Sequence, residues 1–165
     1  AIAISWFLTR PERGADRPRR IVVTNRSADR LDTIHRMHAD LGTDIPIECV
    51  TAPTADDNDA VLSRLSPHSL VVNATGLGKD APGSPLTDRA EFPHQAVAWD
   101  LNYRGDLIFL DQARAAGCRT EDGWTYFLHG WTQVIAEVFD IAIPTSGPKF
   151  DRLAAIAGRR RTVPS

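Results

Sequence analysis

Arg26, set between Asn25 and Ser27, is the residue of this sequence best suited to grip a phosphate. Its guanidinium is planar, permanently charged and forked to meet two phosphate oxygens, and the neighbouring amide and hydroxyl add neutral hydrogen bonds. A second group, Asn73-Ala74-Thr75-Gly76 followed by Leu77 and Gly78, sets polar side chains beside glycines that permit positive φ and close backbone approach by another molecule. Lys79 and Asp80 come next, but neighbours in a charged loop lack the burial that tunes a lysine for proton transfer, so acid-base chemistry is not expected of them. His35 and His38 lie three residues apart without a third ligand nearby in sequence. They read as packing or surface residues, and no metal site is expected.

Such groups need elements to position them. Ile21 to Thr24 reads as a short buried strand closed by Asn25-Arg26-Ser27. Ala28 to Leu41 reads as a helix with Ser27 as N-cap, Leu31, Ile34, Met37, His38 and Leu41 at three- and four-residue intervals, and Gly42 as its stop. Pro46 to Val50 is the next strand, Thr51 to Asp57 a polar loop and Asn58 to Leu65 a short helix. Leu70, Val71 and Val72 are apolar on both faces of the chain, as expected of a parallel strand covered by helices on two sides. Lys79 to Phe92, rich in proline, glycine and charge, is long enough to form a mobile flap. Ala96 to Asp100 then gives a strand, Asp106 to Ala116 a helix, Cys118 to Glu121 an edge strand and Gly123 to Phe139 a long amphipathic helix. A further helix around Asp151 to Ala157 precedes a basic tail at Arg159, Arg160 and Arg161. Strands alternating with helices predict an α/β protein with a Rossmann-like doubly wound parallel sheet, residues 1–143 forming its body and 144–165 a C-terminal helix and tail.

In sheets of that kind ligands lie beyond the carboxyl ends of the strands. The adenosine ribose of a dinucleotide meets the end of the second strand, where an acid suits NAD and an arginine accommodates the extra phosphate of NADP. Arg26 holds that position and predicts NADP; taken alone it is equally an exposed arginine beside a helix cap.

Composition narrows the rest. The chain has 165 residues, 42% of them hydrophobic, enough for one globular domain, and its net charge of −2 offers no general attraction to nucleic acid or anionic membrane. Arg10, Arg13, Arg17, Arg19 and Arg20 are interrupted by prolines, glycine and acids and read as a solvated connection. Cys49 and Cys118 are too few for a disulfide framework, so a reducing, cytoplasmic setting is expected. Ala1 to Thr9 is too short to span a bilayer and lacks the basic leader of a signal peptide. It reads as a buried helix that begins without a cap, as though continuing something earlier.

Asn25-Arg26-Ser27, Asn73-Ala74-Thr75-Gly76, Asp100-Leu101-Asn102-Tyr103 and Asp122-Gly123 at the start of an amphipathic helix occur in that order. The ordered set resembles the nicotinamide-nucleotide half of the shikimate dehydrogenase family, and the resemblance runs from Ala1 to about Ile143. It implies that Asn25, Arg26 and Ser27 hold the 2′-phosphate and ribose of NADP. It further implies that Asn73, Ala74, Thr75 and Gly76 line the cofactor, that Leu101 and Gly123 lie near the nicotinamide, and that Tyr103 reaches the substrate. Gly130 stands where the family usually presents a substrate-binding glutamine, which leaves the substrate open between shikimate and another cyclic hydroxy acid such as quinate. No catalytic residue is expected within this chain, because the family's proton-transferring lysine and aspartate belong to an earlier substrate domain.

The resemblance thus implies an NADP-dependent oxidoreductase of the shikimate dehydrogenase type, with this chain as its cofactor-binding part. The alternatives are a quinate dehydrogenase-like enzyme using NAD(P) and a non-catalytic nucleotide-binding module; a homodimer is compatible with any of them. The family's first strand and its glycine-rich phosphate loop are missing ahead of Ala1. In the usual strand order that strand lies between Ile21–Thr24 and Leu70–Val72, so a gap with unpaired backbone groups and low stability of the isolated chain are expected.

Overall fold

The computed structural model describes residues 2–161. The chain begins with helix α1 (Ile2–Thr9) and a single 3-10 turn (Pro11–Arg13), followed by β1 (Ile21–Asn25), α2 (Ala28–Asp40), β2 (Ile47–Thr51) and α3 (Ala55–Leu62). Then come β3 (Leu70–Asn73), β4 (Val97–Asp100), α4 (Ile108–Ala115), β5 (Arg119–Glu121), α5 (Trp124–Phe139) and α6 (Pro148–Arg161). Every strand pairing is parallel, and helices flank the strands, as the alternating pattern predicts.

The strands divide into two sheets, β1-β2 and β3-β4-β5, and among the described residues no ladder joins β1 to β3. Ile21 lies opposite Ile47, Leu70 opposite Val97, and Val97 opposite Arg119. Residues of β1 that a doubly covered central strand would bury are all half-buried, and Leu70 is 45% exposed.

The core sits on one face of the larger sheet. Leu62 of α3, Ala98 of β4 and Phe109, Leu110 and Ala113 of α4 are buried together with Leu86 from the loop after β3. That loop is not the mobile flap expected of its proline, glycine and charge. Leu86 is drawn into the core, Phe92 packs its ring at a tilt against Phe109 with centroids 5.9 Å apart, and polar groups pin the remainder. Asp59 accepts from the Thr87 hydroxyl, Arg89 pairs with Asp56 at 2.6 Å, and the Ser84 hydroxyl donates to Gln112 at 2.7 Å. Buried apolar side chains outweigh the local composition here.

Three other elements differ from the sequence reading. Helix α3 starts three residues before the expected Asn58, because Thr54 caps it: the Thr54 hydroxyl accepts from the Asp57 N–H (3.2 Å) while the Asp57 carboxylate accepts from the Thr54 N–H (3.0 Å). Helix α1 is not buried all round. Ser5 and Thr9 face inward, the Ser5 hydroxyl meeting His38 Nε2 at 3.0 Å, while Ile2, Trp6 and Phe7 are 45%, 42% and 49% exposed. The arginine-rich connection is anchored rather than solvated: Arg17 pairs with Asp44, Arg13 pairs with Asp16 and lies 4.5 Å over the Phe7 ring, and Arg10 lies 5.0 Å over Trp6. At the other end, α6 takes in the arginines expected as a tail, and its buried Phe150 stacks on His129 of α5 at 4.5 Å. Among the described residues no helix is long and apolar enough to cross a membrane.

Candidate functional site

The predicted site segments all follow carboxyl ends of strands or open a helix. Asn25 ends β1, and its side-chain Oδ1 accepts from the Ser27 N–H at 2.9 Å, turning the chain sharply around Arg26. Arg26 is exposed, and among the described residues it forms no ion pair. Ser27 occupies the N-cap position of α2 as expected, yet its side chain makes no capping bond. The first amides of α2 are therefore left without a side-chain cap. Asp29 in the first turn already places one negative charge there.

The end of β3 is organised by a buried polar network. Asn73 is 2% exposed; its Nδ2 donates to Asp100 Oδ2 at 2.9 Å, and its Oδ1 accepts from the Thr75 N–H (3.0 Å) and hydroxyl (2.7 Å). Asn73 thus lies beneath the loop, shaping it, while Ala74, Thr75 and Gly76 are exposed on top. Asp100 ends β4 with no exposed surface, and its Oδ1 accepts from the Asn102 N–H at 2.9 Å. Asn102 reaches back to β3's loop, donating through Nδ2 to the carbonyls of Thr75 (3.2 Å) and Leu77 (3.0 Å). Burial pushes the Asp100 carboxyl up, and the hydrogen bonds from Asn102 and Asn73 partly oppose that. The three side chains lock two adjacent strand ends into one rim.

Two close backbone approaches fix the rest of that rim. A Cβ on Gly105 would fall under 3.0 Å from the Gly78 carbonyl oxygen, and the Asp106 N–H donates to that oxygen at 2.9 Å. A Cβ on Gly123 would likewise crowd the Leu101 carbonyl, and the Gly123 N–H donates to Asn102 O at 3.0 Å. Leu101 and Gly123 are therefore in close backbone contact. Tyr103 packs its ring on Phe127 (4.4 Å) and Trp124 (5.6 Å), the first two aromatics of a row along α5 that continues to Trp131. Gly130 is exposed one turn beyond, with open space where a side chain would project.

Residue type and spacing assign Asp100 and Asn102 no role of their own; the signal the sequence holds for them is an Asx residue two positions before another polar residue at a strand end. Lys79 and Asp80 pair with each other at 3.1 Å on the surface. His38 has both ring nitrogens engaged, with Thr43 Oγ1 (3.1 Å) and Ser5 Oγ (3.0 Å), and no metal-binding cluster occurs among the described residues.

The fold is a parallel α/β protein with a polar, glycine-rich rim at the carboxyl ends of β3 and β4, the end of the strands at which such folds bind ligands. No known family profile matches the chain. It is 35% identical over 98 residues to the shikimate dehydrogenase (NADP(+)) of two strains of Caulobacter vibrioides, an overlap covering 59% of this chain and 33% of each relative. The chain thus spans about a third of the length of the curated relatives it matches.

Proposed function

We propose that the chain is the NADP-binding part of an oxidoreductase of the shikimate dehydrogenase type. The observation that carries this reading is that its four motifs fall, in order, at the carboxyl ends of β1, β3 and β4 and at the start of α5. Partial similarity to NADP-dependent shikimate dehydrogenases supports it.

The residues fit the cofactor. An exposed guanidinium without an ion-pair partner, beside an uncapped helix start, suits a 2′-phosphate, and Asn25 with Ser27 suits the ribose. Thr75 and Gly76 lie open for the middle of the dinucleotide, and Leu101 against Gly123 for its nicotinamide end. When bound, NADP supplies the hydride acceptor and donor. The chain's own part is orientation: the Asp100-Asn73-Asn102 network holds the rim rigid, so that the cofactor is presented in one geometry. Tyr103 and the space at Gly130 face the substrate, shikimate or a similar cyclic hydroxy acid. The proton-transferring groups come from outside these residues.

The test is shikimate-dependent reduction of NADP+ by a polypeptide that joins residues 1–165 to a substrate domain, followed by absorbance of the reduced nicotinamide, with quinate offered in parallel. Turnover with either acid supports the oxidoreductase reading. Tight NADPH binding without turnover of any cyclic hydroxy acid would leave a nucleotide-binding module instead.

A further inference from the structure

Beyond Thr75, the loop after β3 carries a charged pair set on a closed turn. Gly76 O accepts from the N–H groups of Asp80 (2.8 Å), Lys79 (3.2 Å) and Ala81 (3.3 Å), and the Gly78 N–H donates to Ala81 O at 2.7 Å. The loop after β4 holds the same turn from its other side. There the Asp106 N–H donates to Gly78 O at 2.9 Å, and a Cβ on Gly105 would lie 3.0 Å from Lys79 Cα. The main chain at Lys79 is therefore fixed at the rim, while its side chain and that of Asp80 turn on their own bonds.

Asp80 folds back over this turn. Outside the immediate chain neighbours of Gly76, the three atoms nearest to a Cβ built there all belong to the Asp80 side chain, with Oδ2 at 3.1 Å and Cβ at 3.4 Å. The same Oδ2 meets Lys79 Nζ at 3.1 Å, and the Lys79 side chain is 28% exposed against 64% for Asp80. A carboxylate oxygen thus lies in the room that Gly76 leaves, with an ammonium beside it. Such a surface pair holds weakly, because water solvates both partners. A diphosphate brings more negative charge and more acceptor oxygens than a carboxylate, and a lysine meets it as a point charge from any direction.

We propose that Lys79 binds the diphosphate of the dinucleotide and that the Asp80 carboxylate stands in for that diphosphate until it arrives, a role that rests on the reading of Thr75 and Gly76 as the floor for the middle of the cofactor. On binding, Asp80 swings off Gly76 and the ammonium exchanges one anion for another. No proton changes hands. The diphosphate is common to NADPH and NADH, so Lys79 raises affinity for both alike, whereas Arg26 acts on the phosphate that only one of them carries.

The experiment is fluorescence titration of NADPH and NADH against the parent chain and against Lys79→Met, Lys79→Arg, Asp80→Asn, Lys79→Met with Asp80→Asn, and Glu48→Gln. Glu48 of β2 pairs with Arg64 at 3.6 Å, and its substitution controls for the change in net charge. Lys79→Met is expected to weaken both dinucleotides by about 10-fold, and Lys79→Arg, which keeps the charge, to retain most of the affinity. Asp80→Asn is expected to tighten both by about 3-fold, and by less when Lys79 is already methionine, since no ammonium then needs releasing. Unchanged affinity in Lys79→Met, unequal effects on the two dinucleotides, or equal effects of Asp80→Asn and Glu48→Gln would overturn the proposal and leave the cofactor reading standing. Failure of the parent to bind either dinucleotide would overturn both.

Discussion

Replacing Gly123 by alanine isolates the contact that sets the start of α5 against the end of β4. Gly123 has φ −80°, which any residue adopts, so alanine brings no penalty of backbone conformation. The whole effect is steric. The new methyl would fall under 3.0 Å from the Leu101 carbonyl oxygen and 3.1 Å from its Cα, both backbone atoms that no rotamer change can clear. Either α5 or the end of β4 must shift, and the Gly123 N–H bond to Asn102 O shifts with it. Overpacking of this kind costs about 1–3 kcal/mol. With a urea slope of about 1–3 kcal/mol per molar for a domain of this size, the midpoint falls by about 1 M. Gly130→Ala on the same helix is the internal control: nothing lies within 4 Å of its new methyl, and helix propensity predicts a gain of about 0.5–1 kcal/mol. Urea unfolding of the two variants beside the parent, with NADPH titration as a second readout, gives the comparison. Opposite signs, with weaker NADPH binding in Gly123→Ala alone, are expected. Equal midpoints for Gly123→Ala and the parent would refute the reasoning.

Other expectations follow from the buried polar groups. Asp100→Asn sets an amide N–H against Asn73 Nδ2 or removes the acceptor for the Asn102 N–H; a loss of about 1–3 kcal/mol in denaturant unfolding is expected, with weaker cofactor binding because Thr75 loses its support. Burial raises the folded-state pKa of Asp100, so the unfolded chain releases this proton first as pH rises from about 3.9. Its contribution to stability is full below that pH and is lost as pH climbs through the folded value. His38 works in the other direction: burial lowers its pKa, so its contribution is full above about pH 6.5 and declines as pH falls through the folded value. His38→Gln is expected to flatten the acid limb of stability measured between pH 7 and 5, and an unchanged slope would count against a neutral buried imidazole. Gly130→Gln fills open space at the helix surface and, like Gly130→Ala, is expected to raise stability by about 0.5 kcal/mol; in the polypeptide joined to a substrate domain it should change discrimination between shikimate and quinate, measured as the ratio of kcat/KM values.

Much of this architecture is legible in the chain because its signals are local. The apolar triplet Leu70-Val71-Val72, bounded by Asn73 and by a turn, specifies a strand whatever surrounds it, and the three- and four-residue spacing of Leu31, Ile34 and His38 specifies α2. What escapes is decided by distant partners. Leu86 sits in a run of prolines, glycines and charges, and only Phe109 and Leu110, more than twenty residues on, make it core. The inward face of α1 is polar because Ser5 meets His38 from α2, so its apolar residues lie outward, against the ordinary rule of burial. Thr54 and Asp57 form a capping box that lay within reach of pattern reading, four letters inside what looked like a loop. The site divides in the same way. Arg26 and Thr75 stand out by residue type and place, whereas Asn102 acquires its role through carbonyls of a neighbouring strand's loop.

The central claim is that Arg26 grips the phosphate that distinguishes the two nicotinamide dinucleotides, and competition between them measures it directly. Fluorescence titration of NADPH and NADH against the parent and Arg26→Ala is expected to show a parent preference for NADPH. In the variant NADPH should weaken by about 10- to 100-fold, the worth of a charge-assisted phosphate contact, while NADH stays unchanged. Equal affinity for both dinucleotides in the parent, or an unaltered ratio after the substitution, would contradict it.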